Sequence, residues 1–292
     1  MSPIPAWVIL PAMAIQHRGP LDLSSFDHTL TPDDESNTAT IIDLTRVTFI
    51  DAYGLVGLAC YLAAADGEGR SVQLRLPVSE ELQTYLARMH LREILDRYDV
   101  RAEGGLPEVR ELDRRDRLIE LRSFHDVHGS DQLAAFIWSR LEGHANYEVV
   151  TQLYEATGEL GLNVIEHAGS PAGGFVAAQL YQRGQPGERA IVAVGDVGIG
   201  IRESLRELHG PMTDGEAIER AIQRDVSGIP DRGRGQGLTS VVEGVRDLGG
   251  TVRIRTRGAS RSITRQTVEA ADTLLPLQGT IVGARLPCRP GR

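Results

Sequence analysis

The sequence has no lysine: all 31 of its basic residues are arginine. Positive charge for a phosphate must therefore come from a planar guanidinium fork, a metal ion or backbone N–H groups. Cysteine is nearly as scarce. Cys60 sits in an apolar run and Cys288 near the C-terminal end, which makes no disulfide framework and suits a reducing compartment. No uninterrupted apolar run approaches the roughly 18 residues of a membrane-spanning helix, and no charged N-terminal segment leads into an apolar core. A soluble, cytoplasmic protein without membrane attachment is expected. The formal net charge is −9, with Arg, Asp and Glu interspersed rather than in blocks. Such a distribution argues against a phosphate-tracking surface, so a nucleic-acid partner is not expected.

What is present is 292 residues, enough for two ordinary domains, each with its own core. In the first, residues 7–10 read as a short strand, 17–37 as a Pro/Ser/Asp/Thr-rich loop and 39–44 as a buried strand. An Ala/Leu-rich helix runs to about residue 65, an alternating strand covers 71–76, and a helix covers 80–89 with Ser79 as its N-cap. This β-α-β-α alternation implies a mainly parallel sheet. The charged stretch 101–116, with Gly104, Gly105 and Pro107, reads as a linker and divides the chain into domains 1–110 and 111–292.

The second domain opens with a strand at 118–124, then a helix capped by Ser130 and running to about 142, then a longer helix from 145 to 167. Strands follow at 175–181 and 190–194, a mobile-looking segment with short helical pieces at 202–231, a helix at 238–248, and strands at 251–256 and 279–287. Helices in one layer over a mixed sheet make a two-layer α/β sandwich.

Three stretches of this domain carry candidate chemistry. At helical pitch Glu159, Asn163 and His167 share one face, so a carboxylate, an amide and an imidazole point the same way. The turns Asp196-Val-Gly-Ile-Gly-Ile201 and Gly233-Arg-Gly-Gln-Gly-Leu238 suit close approach of backbone to a ligand, because glycine has no Cβ and tolerates positive φ. Taken singly, the residues have plainer readings. Glu159 is equally an i,i+4 charge partner, Asn163 a solvated helix residue, His167 a favourable helix end, Arg232 and Arg234 solvated loop arginines, and Thr280 an ordinary strand residue.

In this order and spacing, the E-x-x-x-N helix, the D-x-G-x-G-I turn and the G-x-G-x-G-L turn resemble the GHKL (Bergerat-fold) ATP-binding domain. That superfamily includes gyrase, the large heat-shock chaperone, sensor histidine kinases, mismatch-repair ATPases and the anti-sigma-factor serine kinases. The resemblance covers roughly 150 residues. It implies that Asn163 holds Mg²⁺, that Glu159 is a general base, and that His167 touches a phosphate. It further implies that Asp196 accepts from the adenine amino group, with Gly198 and Gly200 under the base and Thr280 supporting the pocket. Gly233, Gly235 and Gly237, opening a helix at Leu238 and flanked by Arg232 and Arg234, would cradle the phosphates of ATP.

Upstream, residues 41–55 resemble the STAS domain of anti-sigma-factor antagonists. Their pattern is a strand ending in Asp, a short hydrophobic turn, then Asp51-Ala-Tyr-Gly-Leu55 opening a helix. Ala52 and Tyr53 stand where that family carries its two serines, so the resemblance implies a docking or dimerising module rather than a phosphorylation target. The combined expectation is a cytoplasmic Mg·ATP-binding regulatory protein that hydrolyses ATP or transfers its γ-phosphate to a partner, as anti-sigma-factor serine kinases do. The rival is a non-catalytic switch whose protein contacts depend on ATP. A regulatory or STAS/sigma-factor-type protein partner is expected, and a homodimer is an open alternative. An autophosphorylating histidine kinase is not expected, because His125 and His128 read as lying in a non-helical turn beside Gly129.

Overall fold

The computed structural model describes residues 13–28, 39–109, 118–181, 188–223, 237–274 and 276–288. The strand expected at 7–10 lies outside them. The N-terminal half runs β1 (Met13–Leu21), a single 3-10 turn (Phe26–His28), β2 (Ala39–Ile50), α1 (Ala52–Gly67), β3 (Ser71–Arg75), α2 (Glu80–Arg88), α3 (Leu91–Arg97) and β4 (Arg101–Glu103). Its four strands pair in the order β1-β2-β3-β4, every neighbour parallel. The start of the expected linker is thus β4, an edge strand on β3.

The C-terminal half runs β5 (Leu118–Phe124), α4 (Val127–Leu141), α5 (Tyr147–Asn163), a π turn (Val164–Ala168), β6 (Gly174–Tyr181), β7 (Arg189–Asp196), α6 (Gly200–His209) and α7 (Asp214–Ala221). It continues with α8 (Gly237–Asp247), β8 (Thr251–Arg257), β9 (Ala259–Ile263), β10 (Val268–Ala271) and β11 (Leu277–Pro287). Seven strands pair in the order β10-β9-β8-β11-β7-β6-β5. All neighbours are antiparallel, so the sheet expected to be mixed is not. The hairpin β9–β10 has no counterpart in the sequence expectation, because its short segments alternate polar with small residues and carry no apolar stripe.

Two local readings change. The helix over 127–141 is capped by Asp126, whose side chain accepts from the Gly129 N–H at 2.7 Å, rather than by Ser130, which is buried within it. An N-cap needs an extended residue just ahead of the first turn. Asp126 meets that condition, and His128, expected in a turn, lies in the first turn of α4.

The larger difference is in the layers. One face of the seven-stranded sheet is covered by α4, α5 and α8 over a core of Ile137, Val149, Leu153, Leu160, Val176, Val192, Val242 and Ile254. The other face, open in a two-layer sandwich, is covered by α1. Residues Ala52 to Ala65 are all buried, as a helix apolar on every side must be. The core around α1 joins Ile42, Leu44 and Leu74 of the parallel sheet to Phe175, Ala177, Ile191, Ala193 and Ile281 of the antiparallel one. Tyr98 edges onto Phe175 with centroids 6.5 Å apart, and the Tyr85 hydroxyl donates to Gln179 Oε1 at 2.7 Å. Among the described residues no helix is long and apolar enough to cross a membrane.

A shared core predicts shared unfolding. Leu58, fully buried in α1, should cost about 2–5 kcal/mol when truncated to Ala. Calorimetry should show one transition that moves as a whole. Two transitions, with only one displaced by Leu58→Ala, would contradict the shared core.

Candidate functional site

The site begins at the C-terminal half of α5. Seventeen residues of regular helix, Tyr147–Asn163, bring Glu159 and Asn163 onto one face one turn apart. Both are half-buried. Facing them is Gly237, the first residue of α8. A Cβ built there would stand 2.5 Å from Glu159 Oε2 and 3.8 Å from Asn163 Nδ2. The Glu159 carboxylate therefore lies at the N-terminus of α8, where unpaired N–H groups and the helix dipole favour negative charge. Leu238 follows in the first turn, half-buried against the helix-side core.

After Asn163 the helix widens into the π turn Val164–Ala168 and stops at Gly169, whose φ of 57° is left-handed. A π turn is a local insertion that recurs at functional sites. It ends the α-helical pitch on which the alignment of His167 with Asn163 was based, and His167 sits half-buried within it. The Ala168 carbonyl at its end accepts from the Ile199 N–H at 2.8 Å. A Cβ on Gly198 would lie 1.9 Å from that same oxygen, so only glycine lets the Asp196–Gly200 loop close onto the end of α5. Ser170 adds a second mooring, its Oγ accepting from the Val197 N–H at 3.3 Å and donating to Gly173 O at 2.6 Å.

Asp196 ends β7 and is 4 % exposed. Burial pushes its carboxyl up to about 7, against the opposing effect of backbone N–H groups of Gly198 and Thr280 that bond it. The Gly198 N–H donates to Oδ1 at 2.7 Å. Gly279, with φ 83°, has the backbone Asp196 O 2.0 Å from where its Cβ would be, so β11 can cross directly against the backbone of Asp196. Thr280 is half-buried, with Oγ1 3.3 Å from Thr256 Oγ1.

Thr256 was not singled out by sequence. It is fully buried, donates to Gly279 O at 3.1 Å and accepts from the Ile201 N–H at 3.2 Å. It thereby joins β8, β11 and the start of α6. Its only sequence signal is the break of alternation in Arg253-Ile-Arg-Thr256, where two polar residues follow one another.

Arg232, Gly233, Arg234 and Gly235 lie outside the described residues. Part of the segment expected to be mobile over 202–231 is fastened. Helix α7 starts with a capping box between Thr213 and Glu216, Asp214 Oδ2 accepts from the Gly258 N–H at 3.1 Å, and the buried Arg261 donates to Glu219 Oε1 at 2.7 Å and to Asp272 Oδ1 at 2.6 Å. Among the described residues no group of three or more His, Cys, Asp or Glu is arranged to hold a metal.

Residues 148–290 match the model of the histidine kinase-, DNA gyrase B- and HSP90-like ATPase family. Among solved structures, a mycobacterial sensor histidine kinase, MprB, is 28% identical over 48% of this chain and 73% of its own, with a TM-score of 0.29. The histidine kinase domain of the blue-light activated histidine kinase EL346 from Erythrobacter litoralis is 18% identical over 69% of this chain and 78% of its own, with a TM-score of 0.26. Comparison with curated protein sequences gives no match.

The raised carboxyl of Asp196 makes stability pH-dependent. Its folded value, about 7, exceeds the ordinary 3.8, so its contribution is full below about pH 4 and is lost as pH rises through about 7. Unfolding free energies from denaturant titrations at pH 5 and pH 8 should differ less in Asp196→Asn than in the wild type, because the amide does not ionise; the gap should close by a few kcal/mol. Equal pH dependence in both would contradict a raised carboxyl at Asp196.

Proposed function

We propose, from the premise that residues 148–290 form a histidine kinase-, DNA gyrase B- and HSP90-like (GHKL) ATPase domain, that this protein binds Mg·ATP and cleaves or transfers its γ-phosphate under control of a protein partner. The observation that carries the reading is the convergence of the Glu159 carboxylate, the Asn163 amide and the N-terminus of α8 at Gly237, with the buried Asp196 on the neighbouring strand end.

The residues fit the ligand chemically. Asp196 is a buried carboxylate bonded by two backbone N–H groups, those of Gly198 and Thr280, which leaves part of the acceptor capacity of its two oxygens for an exocyclic amine. A carboxylate accepts from an amine and repels a keto oxygen, so adenine is favoured over guanine. The missing Cβ of Gly237 leaves backbone of α8 open to an anion beside Glu159. With no acidic metal cluster among the described residues, a magnesium ion would rest on the Asn163 oxygen and on phosphate oxygens, a sparse ligand set that suits Mg²⁺. It would supply neutralisation of phosphate charge.

Glu159 stands one helical turn before Asn163 and is the carboxylate at the phosphate end. It accepts a proton from the attacking water or hydroxyl, the role of a general base. In this reading Arg232 and Arg234, with Gly233 and Gly235, meet the phosphates, which is consistent with a chain that has no lysine. In this reading the protein acts in the manner of an anti-sigma-factor serine kinase, and the N-terminal half is a STAS-like unit of a cytoplasmic regulator. Ala52 and Tyr53, at the position of that family's serines, are both fully buried, so the unit is not itself a phosphate acceptor there.

Calorimetric titration with ATP and GTP tests the reading. ATP should bind more tightly, with Mg²⁺ required for full affinity, and Asp196→Asn should weaken it by about 1–3 kcal/mol. Because the amine needs the ionised carboxylate, affinity should fall below about pH 7 and binding at pH 6 should release protons; neither effect should survive in Asp196→Asn. Equal ATP and GTP affinities would refute the base pocket.

Glu159→Gln keeps shape and removes basicity. Nucleotide should still bind while phosphate release falls by roughly 10²–10⁴-fold. Undiminished turnover in that variant would reject Glu159 as the base. Wild-type binding without turnover, alone or with a partner, would leave an ATP-dependent switch instead.

A further inference from the structure

The two faces of β8 serve different neighbours. Val252 and Ile254 enter the helix-side core, while Arg253 and Arg255 point to the other side, as alternation along a strand requires. Both guanidinium residues are buried, Arg255 to 3 % exposure. A cation so placed is tolerated only when it is paired. The carboxylate that meets them comes from far away in sequence. Asp27, 2 % exposed, sits on the single turn Phe26–His28 that follows β1. Its Oδ2 accepts from Arg253 Nε at 3.0 Å and also from Nη2, and its Oδ1 lies 3.9 Å from Arg255 Nε. Tyr53, at the start of α1, is buried beside this cluster, and its ring edges onto Phe26 with centroids 5.6 Å apart.

The next residue along β8 is Thr256, whose side chain returns to the opposite face. It bonds Gly279 O and the Ile201 N–H, and Thr280, which follows Gly279, bonds Asp196 through its backbone N–H. The position of Asp27 is thus linked to Asp196 through one guanidinium, two peptide units and two hydrogen bonds. A second contact backs the same carboxylate. A Cβ on Gly195 would stand 2.7 Å from Val56 Cγ1 and 2.8 Å from Cys60 Sγ, so α1 touches β7 directly behind the residue that precedes Asp196.

We propose that the N-terminal unit forms the back wall of the nucleotide site and that Asp27 is a positioning residue, setting adenine affinity through Arg253, Arg255 and the Thr256 hub of β8. The inference rests on the reading of the Asp196 end as the base pocket. Without the Asp27 charge, the buried Arg253 guanidinium loses the carboxylate it donates to, and β8 must shift to relieve it. Thr256 and Gly279 shift with it. By linkage, bound nucleotide strengthens docking of the N-terminal unit by the same factor.

Mg·ATP affinity of full-length wild type, Asp27→Asn, Asp27→Glu and Val56→Ala should be measured by calorimetry well below each thermal midpoint, with circular dichroism to establish folding. A purely structural role would lower the midpoint and leave the Kd of the folded protein unchanged. We expect Asp27→Asn to weaken binding about 5-fold or more, and Asp27→Glu, which restores the charge, to recover part of the loss. Folded Asp27→Asn with wild-type Kd overturns the proposal. If Asp27→Asn does not fold, Val56→Ala decides: about threefold weaker binding supports the back wall, and unchanged Kd overturns it. Wild type that binds ATP and loses it on Asp196→Ala, while Asp27→Asn and Val56→Ala bind normally, removes this inference alone. Wild type that takes no nucleotide removes the ATP reading as well.

Discussion

The burial of α1 on every side is the constraint from which the architecture follows. A helix built, up to Ala65, of Ala, Gly, Leu, Val, Cys and two Tyr, all of them buried, has no stable position at a surface. It needs two apolar walls. The parallel sheet supplies one and the back of the antiparallel sheet the other, and the two halves of the chain become successive layers around one helix. Asp51 caps that helix, accepting from the Gly54 N–H at 2.9 Å and the Leu23 N–H at 3.1 Å. Burial raises its carboxyl to about 7, like that of Asp196, so α1 is flanked by two carboxylates that are both removed from water.

This arrangement changes what the resemblance of residues 41–55 can mean for function. Where the start of such a helix would meet a partner, here Ala52 and Tyr53 are enclosed under the sheet, and Gly283 of β11 leaves room for the Tyr53 ring 2.4 Å from its absent Cβ. That helix is occupied within the chain. Its close neighbours are the strands that end at the candidate nucleotide site, which makes the N-terminal half part of that site's mechanical environment.

On the helix side, the site depends on glycine rather than on many polar side chains. Gly198 lets one loop rest on the Ala168 carbonyl, and Gly279 lets β11 pass against the backbone of Asp196. These contacts hold a carboxylate out of water with few bonds to it. That balance holds its carboxyl at about 7, so it changes charge around neutral pH and is ready to gain from a donor. Thr256 then ties the loop, the strand and α6 into one body.

Much of the helix-side geometry was legible in the sequence because it is local. The four-residue spacing of Glu159 and Asn163 reports a shared face wherever the helix is regular, and it is regular as far as Asn163; His167 lies in the π turn, which no spacing announced. Asp196 at a strand end followed by glycines was likewise readable from a short window. The apolar run of α1 could be read as buried, yet periodicity reports which face of an element avoids water and not which element covers it. The antiparallel order of the seven strands, the hub at Thr256, the elevated carboxyl of Asp196 and the pairing of Asp27 with Arg253 and Arg255 came only from tertiary structure. Each is a sum over neighbours distant along the chain, as the sequence separation of 226 between Asp27 and Arg253 makes plain, and no local pattern of residues encodes it.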